Sequence, residues 1–219
     1  MNCETLIIIP ARNEQGNIAE VIADLKKVGF GDILVVDDGS DDNTGIAASK
    51  AGAKVITHSV NMGVGAGSRS GFEFAADRNY EYVVTFDGDG QMRAEDAARI
   101  YEEAQKGYDF VYGSRHFDFA GVPKVRKYTN FLADVLTASL SGKFVRDTQS
   151  GLRCIKVDLL KKFNLKARGY AISSELVVAS LINGVTPKPV KIDAIYTKES
   201  LKKGQKISNS LRVVRELLV

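Results

Sequence analysis

The chain has 219 residues, 44% hydrophobic and 26% charged, with a net charge of +3 at pH 7; this is ordinary globular composition with enough length for one sizeable core. The charge balance does not call for nucleic acid, no window approaches the roughly 20 apolar residues of a membrane span, and Met1-Asn2-Cys3-Glu4-Thr5 leads directly into a strand pattern, unlike a signal peptide. Cys3 and Cys154 have neither metal-ligand spacing nor a disulfide pattern, so a reduced, cytoplasmic protein is expected.

Leu6-Ile7-Ile8-Ile9 reads as a strand, and Ile18, Val21, Ile22 and Leu25 then recur at helical spacing. Ile33-Leu34-Val35-Val36 is a second buried strand, followed by a helix over 44–50. Lys54-Val55-Ile56-Thr57 is a third strand and residues 65–77 a third helix. Residues 82–86 form a fourth strand, 94–106 a helix, and Phe110-Val111-Tyr112 a fifth strand. Continuous apolar strands separated by helices predict a mostly parallel, doubly wound α/β sheet with helices on both faces. The second half is less regular. Residues 128–140 read as a helix with Phe131, Leu132, Val135 and Leu136 on one side, and 152–157 as a strand. Residues 173–183 read as a helix that Ser173 or Ser174 caps and Gly184 ends. The two prolines in Pro187-Lys188-Pro189-Val190-Lys191-Ile192 confine that segment to a sheet edge. Residues 207–219 form an amphipathic helix with Ile207, Leu211, Val214 and Leu218 on one face. No repeat, low-complexity tract or Ser/Pro linker divides the chain, so residues 1–219 read as a single domain.

The unusual residues fall at the carboxyl ends of the predicted strands, where open α/β sheets bind ligands. They are Pro10-Ala11-Arg12-Asn13-Glu14, Asp37-Asp38-Gly39-Ser40-Asp41, the stretch from Asn61 to Gly67, Asp87-Gly88-Asp89-Gly90-Gln91, and Gly113-Ser114-Arg115. Ionised carboxylates do not end a buried strand for stability's sake. Asp87 and Asp89 therefore read as metal ligands, with Gln91 adding an oxygen and Gly88 and Gly90 removing bulk; Mg²⁺ binds one or two carboxylates plus substrate phosphates. Asp38 reads as a ligand contact, whereas Asp41 and Asp42 read as caps of the next helix. Gly63, Gly65 and Gly67 suggest close backbone approach to a ligand, or tight packing of the third helix on the sheet. They are not a dinucleotide fingerprint, because position 70 is Ser70 and the stretch follows the third strand rather than the first. A nucleotidyltransferase would place glycines after the first strand, where this chain has none until Gly16. His58 and His116 are isolated histidines, and neither reads as catalytic.

Together with Asp147-Thr148-Gln149-Ser150-Gly151-Leu152-Arg153, these segments resemble the family 2 inverting glycosyltransferases of GT-A fold. The likeness is greatest to the dolichyl-phosphate mannose synthase branch and its polyprenyl-phosphate relatives, and it covers essentially the whole chain. The resemblance implies transfer from a nucleoside-diphosphate sugar (GDP-mannose or a UDP-hexose) to a polyprenyl (dolichyl) phosphate with Mg²⁺ or Mn²⁺. It implies that Pro10, Arg12, Glu14, Val36 and Asp38 line the nucleotide pocket, with Gly63 and Gly88 beside them, and that Asp87, Asp89 and Gln91 hold the metal. Arg115 then faces acceptor phosphate or donor, Asp147 lies on the acceptor side where family 2 enzymes place a base, and Glu175 is a site-facing carboxylate. Lys198 and Lys206 are the candidates for phosphate contacts, in a segment that aligns only loosely with the branch; a solvated basic loop is the other reading. The basic segment and residues 207–219, which carry Arg212 and Arg215, suit peripheral contact with the cytoplasmic face of a membrane or a membrane partner subunit; equally, that helix closes the core. A saccharide-hydroxyl acceptor, and a non-catalytic nucleotide-sugar-binding module, are the alternatives.

Overall fold

The computed structural model describes residues 4–115, 131, 134, 135, 137–139 and 142–192. Lys198, Lys206 and the expected helix over 207–219 lie outside these residues. A seven-stranded sheet runs in the order β3-β2-β1-β4-β6-β5-β7, from β1 (Thr5–Ala11), β2 (Ile33–Asp37), β3 (Lys54–Thr57), β4 (Tyr82–Thr85), β5 (Phe110–Ser114), β6 (Arg153–Lys156) and β7 (Lys188–Lys191). All pairings are parallel except those of β6, which runs antiparallel to both β4 and β5. β7 is the edge strand that its prolines require, and it pairs with β5.

The helices are α1 (Ile18–Lys27), α2 (Thr44–Lys50), α3 (Val64–Asp77), α4 (Ala94–Ala104), α5 (Val157–Leu160) and α6 (Ile172–Ile182). Successive side chains on a strand point to opposite faces, so alternate residues of the same strand feed two cores. Ile7, Ile9, Val35 and Val84 pack with Ile18, Ile22 and Leu25 of α1, Ala48 of α2 and Ile100 and Tyr101 of α4. Leu6, Ile8, Leu34, Val36 and Val83 pack with Phe72 and Ala75 of α3, Leu159 and Leu160 of α5, and Leu176 and Val177 of α6. Each such aliphatic side chain contributes about 1.5–3 kcal/mol by leaving water. The helix α3 lies so close to β1 that there is no room for a Cβ at Gly71 against Ile8.

Two expectations need correction here. Ser173 and Ser174 are not caps: α6 begins one residue earlier, both serines are buried inside its first turn, and no side chain caps it. Asp42 accepts the Thr44 N–H at 2.9 Å as expected, but Asp41 instead takes Arg12 and Asn13 of the neighbouring loop. Residues 131, 134, 135 and 137–139 are helical as expected; Phe131 and Val135 are both exposed, while Asp134 and Thr137 are buried. The face is set by the Asp134 carboxylate, which accepts the N–H groups of Asp147 and Thr148, each at 2.9 Å.

Candidate active site

Strand order reverses between β1 and β4, and ligands of open α/β sheets bind at such switch points. A cleft of about 530 Å³ opens there, within the range of small-molecule sites. Pro10, Ala11, Arg12 and Glu14 line it after β1, Asp38 after β2, Asn61 to Val64 after β3, and Asp87, Gly88 and Asp89 after β4. Four separate loops are thus brought together, as their placement at strand ends predicts.

The β1 and β2 loops are stitched into one wall. Ser40 Oγ accepts the Asn13 N–H at 3.0 Å, Asn13 Oδ1 accepts the Asp41 N–H at 2.8 Å, and Thr44 Oγ1 accepts the Glu14 N–H at 2.8 Å. Glu14 also receives the Asn17 side-chain amide at 2.8 Å, beside the start of α1. Asp37 is spent on this wall, accepting from the backbone and hydroxyl of Ser40. Asp38 holds the next one: Oδ1 accepts the Met62 N–H at 2.9 Å, Oδ2 the Gly63 N–H at 2.7 Å, and the His58 ring lies 2.8 Å from Oδ1. The other ring nitrogen of His58 is 3.0 Å from Ser70 Oγ. His58 is thus held between the end of β2 and α3. Gly63 has φ +96°, a backbone conformation that L side chains rarely adopt. Its close neighbour, like that of Gly65, is the backbone of residues 167–169. Packing thus accounts for much of the glycine stretch, while Gly63 also lines the cleft.

Asp87 and Asp89 project from the end of β4. Burial, then the charge of Asp89, pushes the Asp87 carboxyl up to about 6; Arg153 and Arg115 pull weakly the other way. Arg153 lies buried behind it on β6, donating to the Thr148 carbonyl at 2.9 Å, and burial lowers its own pKa to about 10. A Cβ at Gly151 would fall 2.7 Å from Asp87 Oδ2, so the glycine leaves that carboxylate its space. Two crowded carboxylates, one unfavourably charged in its setting, form a donor set that fits a hard divalent cation keeping water and phosphate as its other ligands. Gln91 departs from expectation: its backbone N–H donates to Asp89 Oδ1 at 3.0 Å, and its side chain is not among the cleft's lining. Val36 also departs, being fully buried on β2 beneath α3.

Arg115 and Asp147 meet beyond the cleft lining. The Arg115 N–H, Nε and Nη2 donate to the Asp147 carboxylate at 2.8, 3.0 and 2.5 Å. Asp147 is 1% exposed and has φ +53°, a conformation its turn with Asp134 over-determines. Both its oxygens are engaged, which suits orienting Arg115 rather than taking a proton. Glu175 does not face the site: it accepts the N–H groups of Lys166 at 2.7 Å and Ala167 at 3.0 Å.

Sequence reasoning did not single out Arg168, Gly169 or Tyr170 as cleft residues. All three line the cleft. Burial, and then the charges of Asp87 and Asp89, push the Tyr170 phenol up. The available signal was the glycine spacing at 63 and 65, which requires another backbone to lie against it.

Residues 6–164 match the family model described as "Glycosyl transferase family 2". The chain is 30% identical over 97% of its length to the UDP-N-acetylglucosamine–dolichyl-phosphate N-acetylglucosaminyltransferase of Methanococcus voltae, covering 94% of that protein. It is 29% identical to the polyprenol monophosphomannose synthase of Mycolicibacterium smegmatis, across 90% of this chain and 78% of the other. Among solved structures, glucosyl-3-phosphoglycerate synthase from Mycobacterium tuberculosis, in complex with Mn²⁺, UDP and glucosyl-3-phosphoglycerate, superposes with a TM-score of 0.73. That match has 20% identity and covers 99% of this chain and 79% of that one. The architecture is accordingly of GT-A type.

Proposed function

This chain belongs to glycosyl transferase family 2, and on that premise we propose that it moves a hexose from a nucleoside diphosphate to a polyprenyl phosphate. The observation that carries this reading is the convergence of Asp87 and Asp89 with Arg12, Glu14 and Asp38 in one cleft at the β1/β4 switch. Asp87 and Asp89 would hold Mg²⁺ or Mn²⁺, which would neutralise the leaving diphosphate. The Gln91 N–H keeps Asp89 in place. The interlocked β1 and β2 loops and the Asp38-held segment 61–63 supply a preformed pocket for the nucleoside.

The acceptor follows from Asp147. A sugar hydroxyl needs a base to remove its proton, and Asp147 instead has both oxygens committed to Arg115. A phosphate oxygen is already ionised at neutral pH and attacks without one. Arg115, held by Asp147, is then the group that meets the acceptor phosphate, and a single displacement inverts the sugar's configuration. The names of the M. voltae and M. smegmatis relatives support the same acceptor class. No helix among the described residues is long and apolar enough to cross a membrane; docking of residues 198–219 on a lipid surface belongs to this proposal.

Incubation with GDP-mannose, UDP-glucose or UDP-N-acetylglucosamine, Mg²⁺ or Mn²⁺, and a short-chain polyprenyl phosphate tests the reading. Nucleoside diphosphate release that requires the lipid phosphate is expected. Release that requires a free saccharide instead, or no release with any donor, would overturn it.

A further inference from the structure

Residues 168–170 form one wall of the cleft, and three devices fix their backbone. Glu175 on α6 accepts the Lys166 and Ala167 N–H groups with its two oxygens, at 2.7 and 3.0 Å. The Arg69 guanidinium on α3 donates to the Ala167 carbonyl. The Arg168 carbonyl accepts the Gly65 and Ala66 N–H groups, at 2.8 and 3.3 Å, in the first turn of α3. Gly63 and Gly65 permit this approach because a Cβ at either would collide with residues 167–169.

The side chains are treated differently. Arg168 is exposed on the cleft wall, and its guanidinium forms no hydrogen bond or ion pair with another described residue. Tyr170 lines the same cleft as Asp87 and Asp89 and is half exposed. Arg12 and Arg168 are the cations among the lining residues described, and Arg12 already lies 3.4 Å from Asp41. A guanidinium on a segment held by five hydrogen bonds at residues 166–168, beside an acid pair suited to a cation, matches a bidentate phosphate ligand.

We propose that Arg168 binds the diphosphate of the donor, and that Glu175 is its positioning residue, acting through the backbone of Lys166 and Ala167. This rests on the reading of the cleft as a nucleoside-diphosphate-sugar site. Glu175 would otherwise be an odd choice for an exposed loop, since both its oxygens hold backbone rather than a counter-charge.

Calorimetric titration of GDP and of UDP, each with Mn²⁺, into the full chain and four variants tests this. Arg168→Ala is expected to weaken nucleoside diphosphate binding by about tenfold or more, the worth of one charge-assisted pair, with Arg168→Lys recovering part of the loss. Glu175→Gln should weaken it by a smaller factor. Adding Glu175→Gln to Arg168→Ala should cost nothing further, because one residue acts through the other. If the wild-type chain binds neither nucleotide, the donor-site reading fails and this inference with it. If it binds and Arg168→Ala binds equally well, only the role of Arg168 is overturned. Additive losses in the double variant would overturn the positioning role of Glu175.

Discussion

Replacing Asp87 by Asn should make the metal-free protein more stable while destroying its activity. In the fold, burial and the neighbouring Asp89 raise the Asp87 carboxyl from 3.8 to about 6. A carboxyl whose folded pKa lies above its unfolded value favours the fold only while protonated. That contribution is complete below the ordinary carboxylate range and is lost as pH rises through 6. The displacement corresponds to about 3 kcal/mol at pH 8, and about half of that at pH 5. Asn is close to the neutral acid in shape and does not titrate, so the variant escapes the penalty. For a chain of this size, about 3 kcal/mol is on the order of 6–12 °C in melting temperature. Thermal melts in EDTA at pH 8 and pH 5 would measure it. The variant should melt higher at pH 8, and the advantage should shrink at pH 5. A variant no more stable than wild type at pH 8, or equally favoured at both pH values, would refute the account of Asp87 as a strained, function-serving charge.

Other consequences are simpler to state. Gly71→Ala should destabilise by about 1–3 kcal/mol, because the new methyl meets Ile8 across the α3–β1 contact; equal denaturation midpoints would contradict that packing. Asp147→Asn should cut turnover by about 100-fold through a misplaced Arg115. The shape of the pH–rate profile should be unchanged, whereas loss of its acidic limb would mark Asp147 as a base.

Much of this was legible in the residues because it is local. Ile18, Val21, Ile22 and Leu25 lie on one face of any helix they form, and all four are buried in α1. Asp87-Gly88-Asp89 stands out because apolar residues precede it and glycines flank it. What escaped was set by partners distant in sequence. The direction of β6 and its place between β4 and β5 follow from cross-strand pairing that no local pattern encodes. Asp134 drew no notice in the sequence because the backbone groups that its carboxylate accepts lie 13 and 14 residues away. Glu175 was read as facing the site, yet its carboxylate turns to the backbone that carries Arg168 and Tyr170 there. Val36 shows the reverse case, a residue correctly placed in its motif whose side chain serves the core.

The most direct test is Mn²⁺ binding, followed by electron paramagnetic resonance, with and without GDP or UDP. The wild-type chain should hold the ion more tightly when the diphosphate is present, and Asp87→Asn and Asp89→Asn should each abolish that gain. If both variants retained the wild-type diphosphate-dependent signal, the paired acids at the end of β4 would not be the cation site, and the mechanism built on them would fail.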